Sequence, residues 1–117
     1  MSRGRSADLD ALAAVVARAW SRETASTYTE ADPARGQCGV TALAVHRRMG
    51  GEILKTPTPG GVHFYNRLDG RRVDLTAAQF AVPPDYADLP SGPEEAMADT
   101  SPGQLAALLR GMGGPGD

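Results

Sequence analysis

Cys38, His63 and Asp74 are residues of the types that, brought together, break amide and ester bonds through a covalent intermediate. A cysteine attacks as its thiolate, and one that opens a helix is acidified by unpaired N–H groups and the helix dipole. A histidine takes the thiol proton and returns it to the leaving group. An aspartate beside it fixes the imidazole tautomer and stabilises the imidazolium. Each residue alone has a blander reading. A lone cysteine is more often an inert packing residue, a lone histidine a satisfied half-buried one, and a lone strand carboxylate a solvated charge. Asp74 is notable because acidic residues are depleted in strands, yet it stands between Val73 and Leu75.

The elements around these residues carry the argument further. Ser6 is placed to cap a helix whose apolar residues Leu9, Leu12, Val16 and Trp20 fall on one face, ending near Arg22-Glu23. Residues 25–37 contain Asp32-Pro33 and Gly36 and read as a loop. From Cys38 to Val45 the chain is apolar almost all round, the pattern of a buried helix, and Gly50-Gly51 fits its C-terminal end. Cys38 is then expected at the first turn of a central helix, bracketed by Gly36 and Gly39, where a substrate carbonyl could approach the backbone.

Glu52-Ile53-Leu54-Lys55 is a short candidate strand. Residues 62–68 and 71–76 flank Asp69-Gly70, a strong hairpin signal. A two-residue turn there pairs Leu68 with Arg71. Alternation then puts Val62, Phe64, Val73 and Leu75 on a core face, and His63, Tyr65, Asp74 and Thr76 on the other. His63 and Asp74 become diagonal neighbours within hydrogen-bond reach. Asn66, a rival orienting group, falls on the opposite face. His46 lies over two helical turns from Cys38 and reads as a helix-surface residue. After Gln79-Phe80 the chain reads as an irregular segment packed by Phe80, Val82 and Tyr86. Ser101-Pro102 then caps a last helix with the stripe Leu105, Leu108, Leu109 and Met112. The expected organisation is one domain over residues 1–117, with 1–5 and 113–117 as flexible ends.

Two resemblances rest on these residues. Arg35-Gly36-Gln37-Cys38-Gly39-Val40-Thr41-Ala42-Leu43, Gly50-Gly51-Glu52-Ile53, His63-Phe64-Tyr65-Asn66-Arg67-Leu68 and Val73-Asp74-Leu75-Thr76 with Gln79-Phe80 resemble the small bacterial YunG-like proteins. Ala19-Trp20-Ser21-Arg22-Glu23-Thr24 is similar as well, so the likeness spans roughly residues 15–82. More coarsely, a Cys opening a helix, followed by His and Asp on neighbouring strands, is similar to papain-like and transglutaminase-like enzymes. That likeness implies an α+β fold with a central helix packed on a small antiparallel sheet. It also implies Cys38 as nucleophile, His63 as base and then acid, and Asp74 as orienting group. The oxyanion would be held by the Cys38 N–H and the Gln37 side chain. Papain-like enzymes place their glutamine several residues before the cysteine, whereas Gln37 is adjacent to it. Tyr65 is a candidate to line the substrate cleft. The expected activity is cysteine-dependent hydrolysis of an amide, peptide or thioester bond. Acyl transfer, or a non-catalytic binding protein of the same fold, is the alternative.

Composition narrows the field. The 117 residues carry 12 basic and 14 acidic side chains, a net charge of −2, so the footprint of a nucleic-acid binder is missing. Arg47-Arg48, Arg67, Arg71 and Arg72 read as solvated charges. One cysteine forms no internal disulfide, and with two histidines it makes a poor zinc site, so neither metal nor cofactor is expected. No run is apolar and long enough to span a bilayer, and the start does not resemble a signal peptide. A cytoplasmic protein acting on a small-molecule or peptide substrate is expected. The few aromatic residues and the Pro-rich segment are compatible with a monomer or a homo-oligomer.

Overall fold

The computed structural model describes residues 2–113, so expectations for Met1 and for the tail beyond Gly113 lie outside it. Four helices and a four-stranded antiparallel sheet form an α+β architecture. Helix α1 spans Ser2–Ala19, α2 Cys38–Met49, α3 Pro93–Met97 and α4 Pro102–Met112. Strands β1 (Glu52–Thr58), β2 (Gly61–Leu68), β3 (Arg71–Val73) and β4 (Leu89–Ser91) pair in the order β3-β2-β1-β4.

Helix α2 is the centre of the fold because its sequence offers no polar face along its first two turns. Cys38 through Val45 are all buried, as the nearly continuous apolar run requires. One side of α2 packs on β2, and α3 and α4 cover others. Phe64 and Leu68 of β2 and Ile53 of β1 meet Val40, Leu43 and Ala44 in a single core. Helix α1 adds Leu12 and Val16 through the expected stripe, with Leu9 and Trp20 partly buried against it. It begins at Ser2 rather than after Ser6, so Ser6 falls within the helix and not at its start. Ser101 does cap α4, accepting the Gln104 N–H at 3.2 Å.

The hairpin forms in the register read from Asp69-Gly70. Leu68 pairs with Arg71, and the turn residues have φ of 52° and 79°, the left-handed pair such a two-residue turn demands. Strand β3 is shorter than expected, however. Its pairing ends with Val73 opposite Asn66, and residues 74–76 leave the sheet. Asp74 is therefore just past the strand, not within it. Beyond Val73 the edge of β2 at Phe64 and His63 is left without a strand partner from β3.

The segment after Phe80 is less irregular than its composition suggests. Leu89–Ser91 adds an edge strand to β1, and Pro93–Met97 forms α3. β1 itself runs past Lys55 through Pro57, because β4 covers it only along Ile53–Lys55 and leaves that side of Pro57 open. The stretch between β3 and β4 covers the sheet face opposite α2. Thr56 Oγ1 donates to the Asp85 carbonyl and accepts the Ala87 N–H, and the Tyr65 and Tyr86 rings meet edge to face at 4.9 Å. Val82 does not pack as expected: it is 79% exposed, and Val62 is 48% exposed.

Candidate functional site

Cys38 is the first residue of α2, as its position after Gly36-Gln37 predicts. The residue is 8% exposed. Two groups face it. The Phe64 backbone N–H, on the β2 edge that β3 leaves uncovered, favours the charged form of the sulfur. On the other side, Cys38 Sγ donates to Asp99 Oδ2 at 3.5 Å.

The direction of the thiol's acidity is the reverse of the sequence expectation. Burial pushes the Cys38 pKa up to about 12, the Phe64 N–H opposes this, and the Asp99 carboxylate raises it further by charge and hydrogen bonding. At neutral pH the Cys38 side chain is therefore a protonated thiol. A helix N-terminus alone does not outweigh desolvation and a carboxylate in contact.

His63 is 2% exposed. Its Nε2 lies 2.7 Å from Asp74 Oδ2. That carboxylate is otherwise fully engaged: Tyr86 Oη donates to the same Oδ2 at 2.7 Å, and Thr76 donates to Oδ1 from both its N–H and its hydroxyl at 3.2 Å. Burial alone would raise the Asp74 pKa. The hydrogen bonds from His63 and Tyr86 outweigh burial and hold it below the ordinary carboxylate value. An ionised Asp74 accepting from Nε2 fixes the proton on that nitrogen, leaving Nδ1 as the basic lone pair. Nδ1 is buried and has no hydrogen-bond partner.

Two aromatic rings flank the imidazole. Tyr65 stacks on it at 5.7 Å and Phe80 meets it edge-on at 4.7 Å between ring centres. Tyr65 is 1% exposed, and its hydroxyl accepts the Asp88 N–H at 2.8 Å and donates to Asp88 Oδ1 at 2.9 Å. Asp88 is paired in turn with Arg72 at 2.7 Å. Tyr65 thus supports His63 from behind and does not line the cleft as expected. Asn66 lies on the opposite face, donating to the Ala42 carbonyl of α2 at 3.0 Å.

His63 shares its sheet face with Tyr65, while α2 covers the other face. The two sides meet where β3 stops. Cys38, His63, Gln79, Phe80 and Asp99 all line one cavity of about 730 Å³. Gln37, the expected second oxyanion donor, is fully buried and hydrogen-bonded to Thr24 Oγ1 at 2.8 Å, and it is not part of the cavity wall. The space expected above Gly39 is occupied as well. A Cβ on Gly39 would come within 2.5 Å of Asp99 Oδ2, and the Gly39 N–H donates to that carboxylate. Gln37 makes no side-chain cap for α2, so Asp99 supplies one from 61 residues away.

Sequence reasoning missed Asp99 and the part played by Tyr86. Asp99 follows α3 in a segment whose spacing gives no cue, and only the packing of α3 on α2 delivers it. Tyr86 was legible as a packing residue, but not as a donor to Asp74. Arg67 lies outside the site, paired with Glu52 at 2.9 Å, and half-buried His46 is not in the cavity wall. No group of three or more potential metal ligands occurs among the described residues. None of the described helices is long and apolar enough to cross a membrane.

Comparison with known proteins supplies a family. The family model described as YunG protein matches residues 8–113, a span containing Cys38, His63, Asp74 and Asp99. A Bacillus subtilis (strain 168) relative, described as uncharacterized protein YunG, is 43% identical over 94 residues. That alignment covers 80% of this chain and 82% of the relative. No solved structure matches the chain.

Proposed function

The chain belongs to the YunG protein family, and from that premise we propose that it is a cysteine-dependent hydrolase acting on an amide, peptide or thioester bond. Cys38 is the nucleophile, His63 the base and then acid, and Asp74 the orienting group, in a papain-like or transglutaminase-like arrangement. One observation carries the reading. A buried His63–Asp74 pair at 2.7 Å leaves the basic Nδ1 unpartnered, and its ring walls the same cavity as Cys38.

A protonated resting thiol makes this a general-base mechanism rather than a standing thiolate–imidazolium pair. With substrate in the cavity, Sγ bonds to the carbonyl carbon as its proton passes to His63 Nδ1. The oxyanion lies at the Cys38 N–H, at the start of α2. Collapse of the adduct breaks the bond to the leaving group, which takes the proton from His63 and leaves an acyl group on Sγ. Water, losing a proton to His63, releases the acid and restores the thiol. Asp74 stays ionised throughout and steadies the imidazolium.

The competing reading is a binding protein of the same fold with an inert cysteine, and the deep burial of Cys38 favours it. The test offers thioester and amide libraries to the wild type and to Cys38→Ala, with and without amine acceptors, and follows Cys38 by mass spectrometry. Turnover lost in Cys38→Ala supports the hydrolase. An adduct that clears only on adding an amine makes the enzyme an acyltransferase. No adduct and no turnover under any condition returns the chain to the binding class.

A further inference from the structure

We infer that the electrophile accepted at this site carries a positive charge at the carbon Cys38 attacks, as an amidinium or guanidinium does, and that Asp99 selects it. This rests on the cysteine-hydrolase reading and replaces the neutral amide of that reading with its cationic nitrogen analogue.

Among the described residues, Asp99 is the only Asp, Glu, Lys or Arg that lines the cavity. The nearby hairpin arginines Arg67 and Arg72 are tied to Glu52 and Asp88. Asp99 as a residue is solvent-exposed, yet its carboxylate is turned in against the reacting atom, 3.5 Å from Cys38 Sγ. A charge this close to the sulfur acts on the carbon under attack rather than on a remote part of a ligand.

That position is a poor one for a neutral amide. Attack on a carbonyl builds an oxyanion at the start of α2, where the Gly39 N–H is already taken by the Asp99 carboxylate. The new negative charge would form beside an existing one. An amidinium reverses the balance. Its N–H groups match a carboxylate in a planar pair, and attack turns a cation into a neutral adduct. Burial is the main reason the thiol holds its proton, and a cation bound beside Asp99 offsets the further contribution of that carboxylate, so the proton is lost more easily with the right substrate present. His63 also lines the cavity, and its Nδ1 is without a hydrogen-bond partner, open to take the proton.

The chemistry balances without a further reactant. Sγ bonds to the amidinium carbon as the thiol proton moves to His63 and the C=N pair moves onto nitrogen. Ammonia leaves with the proton from His63, giving a cationic thioimidate on Cys38. Water attacks through His63, the S–C bond breaks, and the thiol is restored. The sum is an amidinium plus water giving an amide plus ammonium.

The probes are 2-chloroacetamidine, a cation, and 2-chloroacetamide, its neutral near-isostere. Alkylation of Cys38 at pH 7.5 is followed by intact mass, and each rate is divided by that of N-acetylcysteine with the same reagent. The wild type should favour the cation at least tenfold after this correction. Asp99→Asn should lose the preference, and Asp99→Glu should keep part of it. A wild-type ratio near one, or a preference unchanged in Asp99→Asn, overturns the inference. Protection in the wild type depends on no variant folding: acetamidinium should slow labelling by chloroacetamidine and acetamide should not, and equal protection by the two overturns it as well. Failure of the hydrolase reading is seen separately, as absence of acylation and turnover in the library assay with amidines added to the thioesters and amides, whatever this ratio proves to be.

Discussion

Tyr86 and His63 converge on one oxygen: each places a donor 2.7 Å from Asp74 Oδ2. The carboxylate thus has donors on both sides and cannot turn away from the imidazole. Arg72 lies over the Tyr86 ring, 4.4 Å from its centre, and fixes the phenol from the solvent side. An aspartate outside regular strand structure is thereby held as firmly as one inside it.

Asp74→Asn should leave the fold intact, because an amide oxygen still accepts from Tyr86. It should slow acylation of Cys38 by a thioester substrate on the order of 10³–10⁴-fold, by favouring the wrong His63 tautomer. The measurement is the rate of adduct formation by intact mass, alongside circular dichroism. A variant that unfolds instead would identify Asp74 as a structural residue of the hairpin.

Tyr86→Phe should destabilise the protein by about 1.5–3 kcal/mol at pH 6, the worth of a hydrogen bond to a charged acceptor. Acidification gives a second readout. Asp74 is depressed in the folded state, so its contribution is present above the ordinary aspartate value of 3.8 and lost as pH falls through the lower folded value. Without Tyr86 the folded value moves back toward 3.8. The variant should then lose less stability than the wild type between pH 6 and pH 3, measured by urea unfolding at both. Equal losses would mean that Tyr86 does not set the Asp74 charge.

The pH profile of Cys38 alkylation by iodoacetamide should separate folded from unfolded protein. With a pKa near 12 in the fold, the rate should rise about tenfold per pH unit from pH 7 to 9.5 with no plateau. In 8 M urea it should level off near the ordinary thiol value of about 8.5. A folded-state plateau below pH 8 would mean a standing thiolate.

Gly39→Ala should cost about 1–3 kcal/mol, as overpacking does. The new methyl would meet Asp99 Oδ2 at 2.5 Å, Asp99 Cβ at 2.9 Å and the Ala96 carbonyl at 3.1 Å. The carboxylate can swing away, but Asp99 Cβ and the Ala96 carbonyl cannot. Asp99→Gly in the Gly39→Ala background should recover part of the melting temperature; additive losses would place the strain elsewhere.

Much of this was legible in the chain. The run Cys38–Val45 and the Asp69-Gly70 turn specify α2 and the hairpin through local rules, so Cys38, His63 and Asp74 were found from spacing alone. What escaped depends on partners far along the chain. Leu89-Pro90-Ser91 carries no strand alternation and becomes β4 only because β1 offers an edge. The Cys38 pKa followed the helix-start rule in the sequence, and the fold reversed it through burial and Asp99. Tyr65 obeyed its alternation faithfully, but which residues cover its face is a tertiary fact.

The thiol and the histidine enter the site on different schedules. His63 and Asp74 are 11 residues apart on one hairpin, whereas Cys38 and Asp99 are 61 apart. Closing the longer loop costs about 1.5 kcal/mol more chain entropy, and it waits on α3 and α4 docking against α2. A refolding chain should therefore assemble its base before it shields its sulfur. During that interval Cys38 is an ordinary reactive thiol beside a completed His–Asp pair, which makes oxidation during folding a greater hazard to this protein than oxidation once folded.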